Sequence, residues 1–104
     1  MAVSGLRLDS IKLADLCYRY KVARLEVMGS FARGEAGPES DIDILVTFEP
    51  DAQIGLEFFA LQNELEELAG RRVDLLSRNA VECSPNKYFR WYALRHTEPL
   101  YEST

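Results

Sequence analysis

The apolar residues of this chain recur at two spacings, one typical of helices and the other of strands. Apolar side chains three and four positions apart predict amphipathic helices, whereas strict alternation predicts strands with one buried face. Gly70 and Pro50 then mark the ends of one helical and one alternating segment. We predict helices over residues 10–20, 54–69 and 84–95, and strands over residues 24–28, 41–48, 72–77 and 99–102. This order of elements predicts a small mixed β-sheet with helices packed on it, an α+β fold of the α/β sandwich type.

Length and composition favour a single folded domain over residues 1–104. Hydrophobic residues make up 47% of the 104 positions, which is enough for a core and argues against disorder. No apolar run is long enough to span a membrane, and the first residues lack the apolar segment of a signal peptide. We therefore expect a cytoplasmic protein in which Cys17 and Cys83 are reduced thiols and His96, the single histidine, has no catalytic role.

The balance of charge disfavours general binding to nucleic acids. Twelve Lys and Arg residues against seventeen Asp and Glu residues leave a net charge of −5. An acidic chain is repelled by nucleic-acid phosphates unless a basic patch or a metal ion offsets the repulsion. The basic patches at Arg71 and Arg72, and at Arg90 and Arg95, are small. We therefore expect no strong direct binding to nucleic acid.

Two aspartates at the start of the predicted strand 41–48 form the first candidate site. Side chains two positions apart in a strand point to the same side, so Asp41 and Asp43 present two carboxylates together. Like charges at this spacing raise each other's pKa unless a cation lies between them, and Mg²⁺ is the natural cation because it prefers carboxylate and phosphate oxygens. Asp74 supplies a third carboxylate from the next predicted strand. If the two strands are neighbours, the three aspartates can complete a site for two metal ions.

A glycine–serine pair ahead of the aspartates is the second candidate. Gly29 lets a ligand approach the backbone closely. Ser30 begins a predicted helical turn over residues 30–34, whose free N–H groups and hydroxyl can bind phosphate oxygens. A glycine–proline pair predicts a loop over residues 35–40. Anion-binding donors beside paired carboxylates describe a site for a nucleoside triphosphate.

Other phosphate-binding motifs do not fit this segment. A Walker A loop is excluded because Glu35 and Ala36 stand where that motif needs a lysine and a hydroxyl residue, and no G-x-G-x-x-G sequence occurs. Taken singly, the aspartates and the glycine–serine pair are weak evidence for a nucleotide site. A D-x-D pair or a lone strand aspartate is usually a solvated charge, and a glycine–serine pair is usually a turn.

Taken together, the motifs resemble the minimal nucleotidyltransferase (MNT) family of the DNA polymerase β-like nucleotidyltransferase superfamily, the antitoxin halves of HEPN/MNT toxin–antitoxin pairs. The stretch GSFARGEAGPESDIDILV, residues 29–46, is similar to that family's core motif almost residue for residue. RRVDLLS, residues 71–77, matches its third-carboxylate strand, and YFRWYALRHTEPLY, residues 88–101, resembles its closing helix and terminal strand. The resemblance covers nearly the whole chain, and the first motif is highly specific.

The resemblance implies a metal-dependent transfer of AMP from ATP to a tyrosine of a HEPN-type ribonuclease toxin, which inactivates the toxin. It also implies two Mg²⁺ ions held by three carboxylates, and flanking residues that support the triphosphate or the loop. The implied catalytic residues and ligands of Mg²⁺ are Asp41, Asp43 and Asp74, and the implied nucleotide-binding residues are Gly29, Ser30, Arg33 and Ser40. Whether Asp74 acts as metal ligand, general base or both stays open at this stage.

The last predicted helix is a candidate surface for the acceptor. Larger nucleotidyltransferases carry further domains for the acceptor, so here we expect that surface to come from a partner or a second copy. The helix is expected to begin at residues 84–85, and four aromatic residues within five positions cannot all face one core: Tyr88, Phe89, Trp91 and Tyr92. One interpretation packs Phe89 and Tyr92 inward. The other makes Trp91 and a neighbouring tyrosine an interface anchor.

Three functions remain in competition. The leading hypothesis is a Mg²⁺-dependent transferase that acts on a protein partner. The second is a non-catalytic antitoxin that neutralises its partner by binding alone. The third is a catalytic subunit that modifies a small molecule or an RNA end with a separate acceptor subunit. The three carboxylates favour an enzyme, because a pure binder has no reason to keep charges that destabilise the start of a strand.

Overall fold

The order of helices and strands follows the predicted order closely. A computed structural model of the chain describes residues 2–3, 6–28, 41–95 and 97–103. The turn expected at residues 30–34 and the loop expected at residues 35–40 lie outside these ranges. The described elements are β1 (Ala2–Val3), β2 (Leu6–Arg7), α1 (Ser10–Arg19), β3 (Val22–Met28), β4 (Ile42–Phe48), α2 (Glu57–Ala69), β5 (Val73–Ser77), α3 (Arg78–Glu82), α4 (Lys87–Arg95) and β6 (Thr97–Glu102).

Four of the strands form one mixed sheet in the order β5-β4-β3-β6. Strand β4 pairs with β5 in parallel, because α2 crosses over between them, whereas β3 pairs with both β4 and β6 in antiparallel fashion. Strands β1 and β2 form a separate antiparallel pair. The predicted mixed sheet with helices packed on it is therefore confirmed.

Both faces of the sheet are covered by helices. On one face, alternate residues of β4 pack against α1 and α2 in the main core, which includes Ile42, Ile44 and Val46. On the other face, Leu45 packs in a smaller cluster with side chains from the strand β3 and the helices α3 and α4. Each fully buried Leu, Ile or Val side chain stabilises the fold by roughly 1.5 to 3 kcal/mol. None of the helices in the described ranges is both long enough and apolar enough to cross a membrane.

Local side-chain chemistry fixes the helix boundaries. The Asp9 carboxylate accepts hydrogen bonds from the backbone N–H groups of Ile11 and Lys12, which caps α1. Gly70 ends α2 in the left-handed region, with φ 72°, as the glycine C-cap predicted. Helix α2 begins three residues later than expected. The Gly55 N–H donates instead to the Glu57 carboxylate, in a turn before the first helical residue.

The helix predicted over residues 84–95 begins three residues later, at Lys87, and a short helix that was not predicted precedes it. A short helix, α3, directly follows β5, because the Ser77 hydroxyl accepts a hydrogen bond from the Ala80 N–H and caps it. The Asn86 side chain then caps α4 by accepting from the N–H groups of Tyr88 and Phe89. Pro85 therefore lies before the helix rather than in its first turn. It lies between two short helices, α3 and α4, of which the sequence predicted only the second.

Candidate active site

The parallel pairing of β4 and β5 brings two predicted site residues together. Asp43 lies directly opposite Asp74 in the register of this pair. The pairing continues past the start of both strands, where the Ile42 N–H donates to the Arg72 carbonyl oxygen at 2.9 Å. Opposite residues of a parallel pair point to the same face, and neighbouring strands are about 4.8 Å apart. The two carboxylates therefore share one face and one edge of the sheet, as the sequence predicted.

The electrostatics of this edge are those of neighbouring carboxylates. The pKa of Asp43 is raised, first by partial burial, then by the negative charges of Asp74 and Asp41, and by a hydrogen bond shared with Asp74. Asp41 itself is exposed, immediately before β4, and Asp74 is also exposed. The structure thus places Asp43 between two other carboxylates, half-buried and open to solvent on one side.

The predicted nucleotide-binding residues lie in the connection from β3 to β4. Met28 is the last residue of β3, and it pairs with Asp43. The connection therefore leaves the sheet beside the carboxylates and returns to it at Asp41. Gly29, Ser30, Arg33 and Ser40 fall outside the described residues, and their roles stay predictions.

The donor set of this edge suits a hard divalent cation. Mg²⁺ takes oxygen ligands and is commonly held by one or two carboxylates together with substrate phosphates. A cation here would relieve the repulsion that Asp43 experiences from its two neighbours. Across residues 6–28, 41–95 and 97–103 no three Asp, Glu, His or Cys side chains are close enough to hold one metal ion by themselves. The described residues therefore offer a cation two facing carboxylates, those of Asp43 and Asp74, with Asp41 nearby at the start of β4.

A buried ion pair on the same face was missed by the sequence. Glu26 of β3 is only 2% exposed, and its carboxylate accepts a hydrogen bond from Arg78 Nη1 at 2.9 Å. The alternation of apolar and polar residues in β3 gave no reason to expect a charged residue in the core. The signal that could have corrected this is Met28, an apolar residue on the same face two positions later. Glu26 and its arginine fill the centre of the sheet face that carries Asp43 at its edge.

A cleft of about 790 Å³ lies at the other end of β4. Its lining includes Thr47 of β4, Phe59 of α2 and Asn79 of α3. None of the three aspartates contributes to this lining. The cleft and the carboxylate edge are therefore separate places in the described part of the chain.

Comparison with known proteins agrees with this geometry. Residues 11–97 match the nucleotidyltransferase domain family. The chain is 43% identical over 68 residues to the protein adenylyltransferase MntA of Thermococcus cleftensis, a match that covers 65% of this chain and 68% of that protein. The fold resembles that of a minimal nucleotidyltransferase of solved structure, with a TM-score of 0.67 at 38% identity over 88% of each chain.

A more distant likeness is to a chain of the solved complex between the tri-AMPylated HEPN toxin of Shewanella oneidensis and an MNT antitoxin. The TM-score is 0.59 at 19% identity, covering 90% of this chain and 70% of that one. At this identity the likeness concerns the fold alone. Because the family match spans most of the chain, and because the strand register places Asp43 and Asp74 face to face, this protein belongs to the nucleotidyltransferase domain family.

Proposed function

We propose that this chain is a protein adenylyltransferase that moves AMP from ATP to a tyrosine of a HEPN-type toxin, and so acts as an antitoxin. The observation that carries the proposal is the pairing of Asp43 with Asp74 across parallel strands. A protein that only binds its partner gains nothing from two like charges directly opposite, because such a pair weakens a sheet. The relative named as an adenylyltransferase supports AMP as the transferred group, and the complex with an AMPylated HEPN toxin supports the class of partner.

Mg²⁺ is the proposed cofactor, as two ions, and Asp41, Asp43 and Asp74 are the residues that would hold it. When bound, Mg²⁺ would offset the negative charge of the triphosphate and increase the acidity of the acceptor hydroxyl. Asp43 would contribute most to this site, because it is half-buried and feels both other carboxylates. In this proposal the charge that costs stability in the free protein serves to bind the cation.

The triphosphate is proposed to lie between the carboxylate edge and the connection from β3 to β4. Gly29 and Ser30 would donate hydrogen bonds to phosphate oxygens, and Arg33 and Ser40 would support the triphosphate or the connection itself. This assignment follows from the sequence motif. It agrees with the pairing of Met28, the residue before Gly29, with Asp43.

The proposed reaction is an in-line displacement at the α-phosphorus. The tyrosine oxygen forms a bond to this phosphorus while the bond to the oxygen that bridges to the β-phosphate breaks, and pyrophosphate leaves. The tyrosine also loses its proton. Asp74, which is exposed at the edge of the site, can accept that proton as a general base, or it can serve only as a ligand of the cation. Both roles place Asp74 beside the attacking oxygen.

Two other functions predict different products when the chain, ATP and the partner are incubated together. A binding-only antitoxin would inhibit the partner without modifying it. A catalytic subunit with another acceptor would place the nucleotide on an RNA end or on a small molecule. The facing carboxylates argue against the binding-only antitoxin, whereas they are equally compatible with a catalytic subunit that has another acceptor.

The test is to incubate the purified chain with Mg²⁺, ATP labelled at the α-phosphate, and a HEPN-type toxin from the same organism. We expect label on a tyrosine of the partner and a mass increase of one AMP group for each site. ATP labelled at the γ-phosphate is the matched control and should leave the partner unlabelled. Inhibition of the ribonuclease with no label on it would select the binding-only antitoxin. Label on RNA or on a small molecule would select the third function.

A further inference from the structure

Helix α4 carries an exposed aromatic surface. Of its nine residues only Ala93 is buried. The aromatic side chains remain in contact with solvent, with exposed fractions of 76% for Tyr88, 58% for Trp91, 44% for Tyr92 and 40% for Phe89. The interpretation that packs Phe89 and Tyr92 inward is therefore not supported, because the small cluster beneath the helix contacts Ala93 and, partly, Leu94 instead. Clustered exposed aromatic side chains are typical of binding surfaces rather than of free protein surface.

The same helix is basic in an acidic chain. Residues 83–97 contain Lys87, Arg90 and Arg95 and no aspartate or glutamate, although the net charge of the whole chain is −5. Two of these cations lie over aromatic rings. The Arg95 guanidinium is 4.7 Å from the centre of the Trp91 ring, and the Lys87 ammonium is 5.5 Å from the centre of the Tyr88 ring. The surface of α4 therefore combines apolar area with positive charge.

The position of α4 connects this surface to the carboxylate edge. Ala93 packs in the same small cluster as Met28, and Met28 pairs with Asp43 in the sheet. Helix α4 is followed by β6, whose first residue, Thr97, also pairs with Met28. A protein seated on α4 would thus extend over the end of the sheet where the aspartates lie.

We propose that the exposed face of α4 is the docking surface for the acceptor protein, and that the partner offers it an apolar and acidic surface. This inference rests on the proposed function only in naming that partner as the acceptor. A two-fold contact with a second copy is disfavoured, because it would bring Lys87, Arg90 and Arg95 against the same cations. RNA is disfavoured because the phosphate backbone would also meet the acidic remainder of the chain.

The proposal is tested by equilibrium binding to the same purified HEPN-type toxin, without nucleotide or Mg²⁺. Trp91→Ala should weaken binding at least tenfold, since an aromatic anchor of this kind carries a large share of the affinity. Tyr88→Ala should also weaken binding, whereas Tyr18→Ala, which truncates an equally exposed tyrosine on α1, should not. Lys87→Glu should weaken binding more than Lys12→Glu, the matched lysine on α1. Unchanged affinity in the three α4 variants would overturn the proposal.

The test separates the docking surface from the chemistry. If the α4 variants lose binding while the wild-type chain transfers no AMP, the docking surface stands and the proposed function fails. If wild-type transfer occurs and the α4 variants bind and transfer normally, the proposed function stands and the docking surface fails. Sedimentation of the chain alone and titration with single-stranded RNA complete the test. Self-association or RNA binding that Trp91→Ala abolishes without affecting the partner would also overturn the proposal.

Discussion

Asp43 of β4 and Asp74 of β5 face each other across a parallel strand pair, and the burial of Asp43 together with its two acidic neighbours raises its pKa. In a protein without a ligand at this edge, such a pair costs stability. This cost in stability is expected if the two carboxylates serve to bind a divalent cation and a polyphosphate rather than to stabilise the fold.

Asp43→Asn should stabilise the free protein while it removes the proposed catalytic charge. A carboxyl group whose pKa is raised in the folded state destabilises the fold once pH rises through that pKa, so at pH 7 the ionised Asp43 works against folding. Removal of one of two like charges directly opposite should therefore add roughly 0.5 to 1 kcal/mol to the free energy of unfolding. Chemical denaturation at pH 7, in EDTA, measures the change. A lower unfolding free energy for the variant would contradict the electrostatic account.

Arg78→Met should destabilise the protein, because the buried Glu26 carboxylate loses its 2.9 Å partner and keeps only Arg24, whose Nε is 3.4 Å away. The expected cost in unfolding free energy is roughly 1 to 3 kcal/mol. The double variant Glu26→Met with Arg78→Met should recover most of this loss, since the buried carboxylate is then absent. Arg19→Met is the matched control. Arg19 is an exposed arginine that pairs with Asp15 and Glu64, and its loss should lower the unfolding free energy much less than the loss of Arg78, because water screens exposed ion pairs.

The contact between Tyr20 and Glu64 should contribute stability only above the acidic range. The Tyr20 hydroxyl donates to the Glu64 carboxylate at 2.5 Å, and this bond, followed by the bond from Arg19, holds the pKa of Glu64 below its usual value. A depressed carboxyl pKa stabilises the fold above the unfolded value of about 4.3, and the contribution is lost as pH falls through the lower folded value. Tyr20→Phe should therefore lower the melting temperature at pH 7 and have little effect near pH 3.

The control for this titration is Tyr18→Phe, which changes an exposed tyrosine on the same helix and should not alter stability at either pH. The expected loss for Tyr20→Phe at pH 7 is up to about 1 kcal/mol, because the pair is largely solvent-exposed. An equal loss at both pH values would show that the contact acts through packing rather than through the charge of Glu64.

Gly70→Ala should destabilise the end of α2 by about 1 kcal/mol. Gly70 has φ 72°, and a Cβ atom there would meet nothing within 4 Å, so the cost is one of backbone conformation and not of space. Gly55→Ala is the control, because its added Cβ atom would make only an ordinary contact at 3.7 Å with the Glu57 carboxylate. Thermal unfolding of both variants provides the comparison. Equal effects would refute the conformational explanation.

The periodicity of the sequence predicted the fold well because each main element carries one clear apolar pattern. The faces of β4 and β5, and so the meeting of Asp43 with Asp74, followed from alternation once the two strands were taken as neighbours. The failures occurred where both faces of an element are covered or where an element is very short. The burial of Glu26 was not predicted, because a polar residue in an alternating strand normally faces water. Helix α3 was missed because five residues are too few to show a helical period.

The residues of α4 show a different limit. Aromatic side chains normally indicate a core, but here Ala93 and, partly, Leu94 pack against the sheet, because the cluster beneath α4 consists of a few buried side chains. The sequence could show that four aromatic residues do not share one face. It could not show how small the available core is, since that depends on the packing of β3, β4 and α3 together.

The central claim is that the facing aspartates carry out nucleotide transfer, and its most direct test is the rate of AMP transfer to the HEPN-type partner by Asp43→Asn. We predict a loss of more than about 100-fold, in a variant that binds the partner normally and is at least as stable as the wild type. Asp15→Asn, which removes an exposed aspartate on α1, should transfer at the wild-type rate. Transfer by Asp43→Asn at the wild-type rate would contradict the assignment of this edge as the active site.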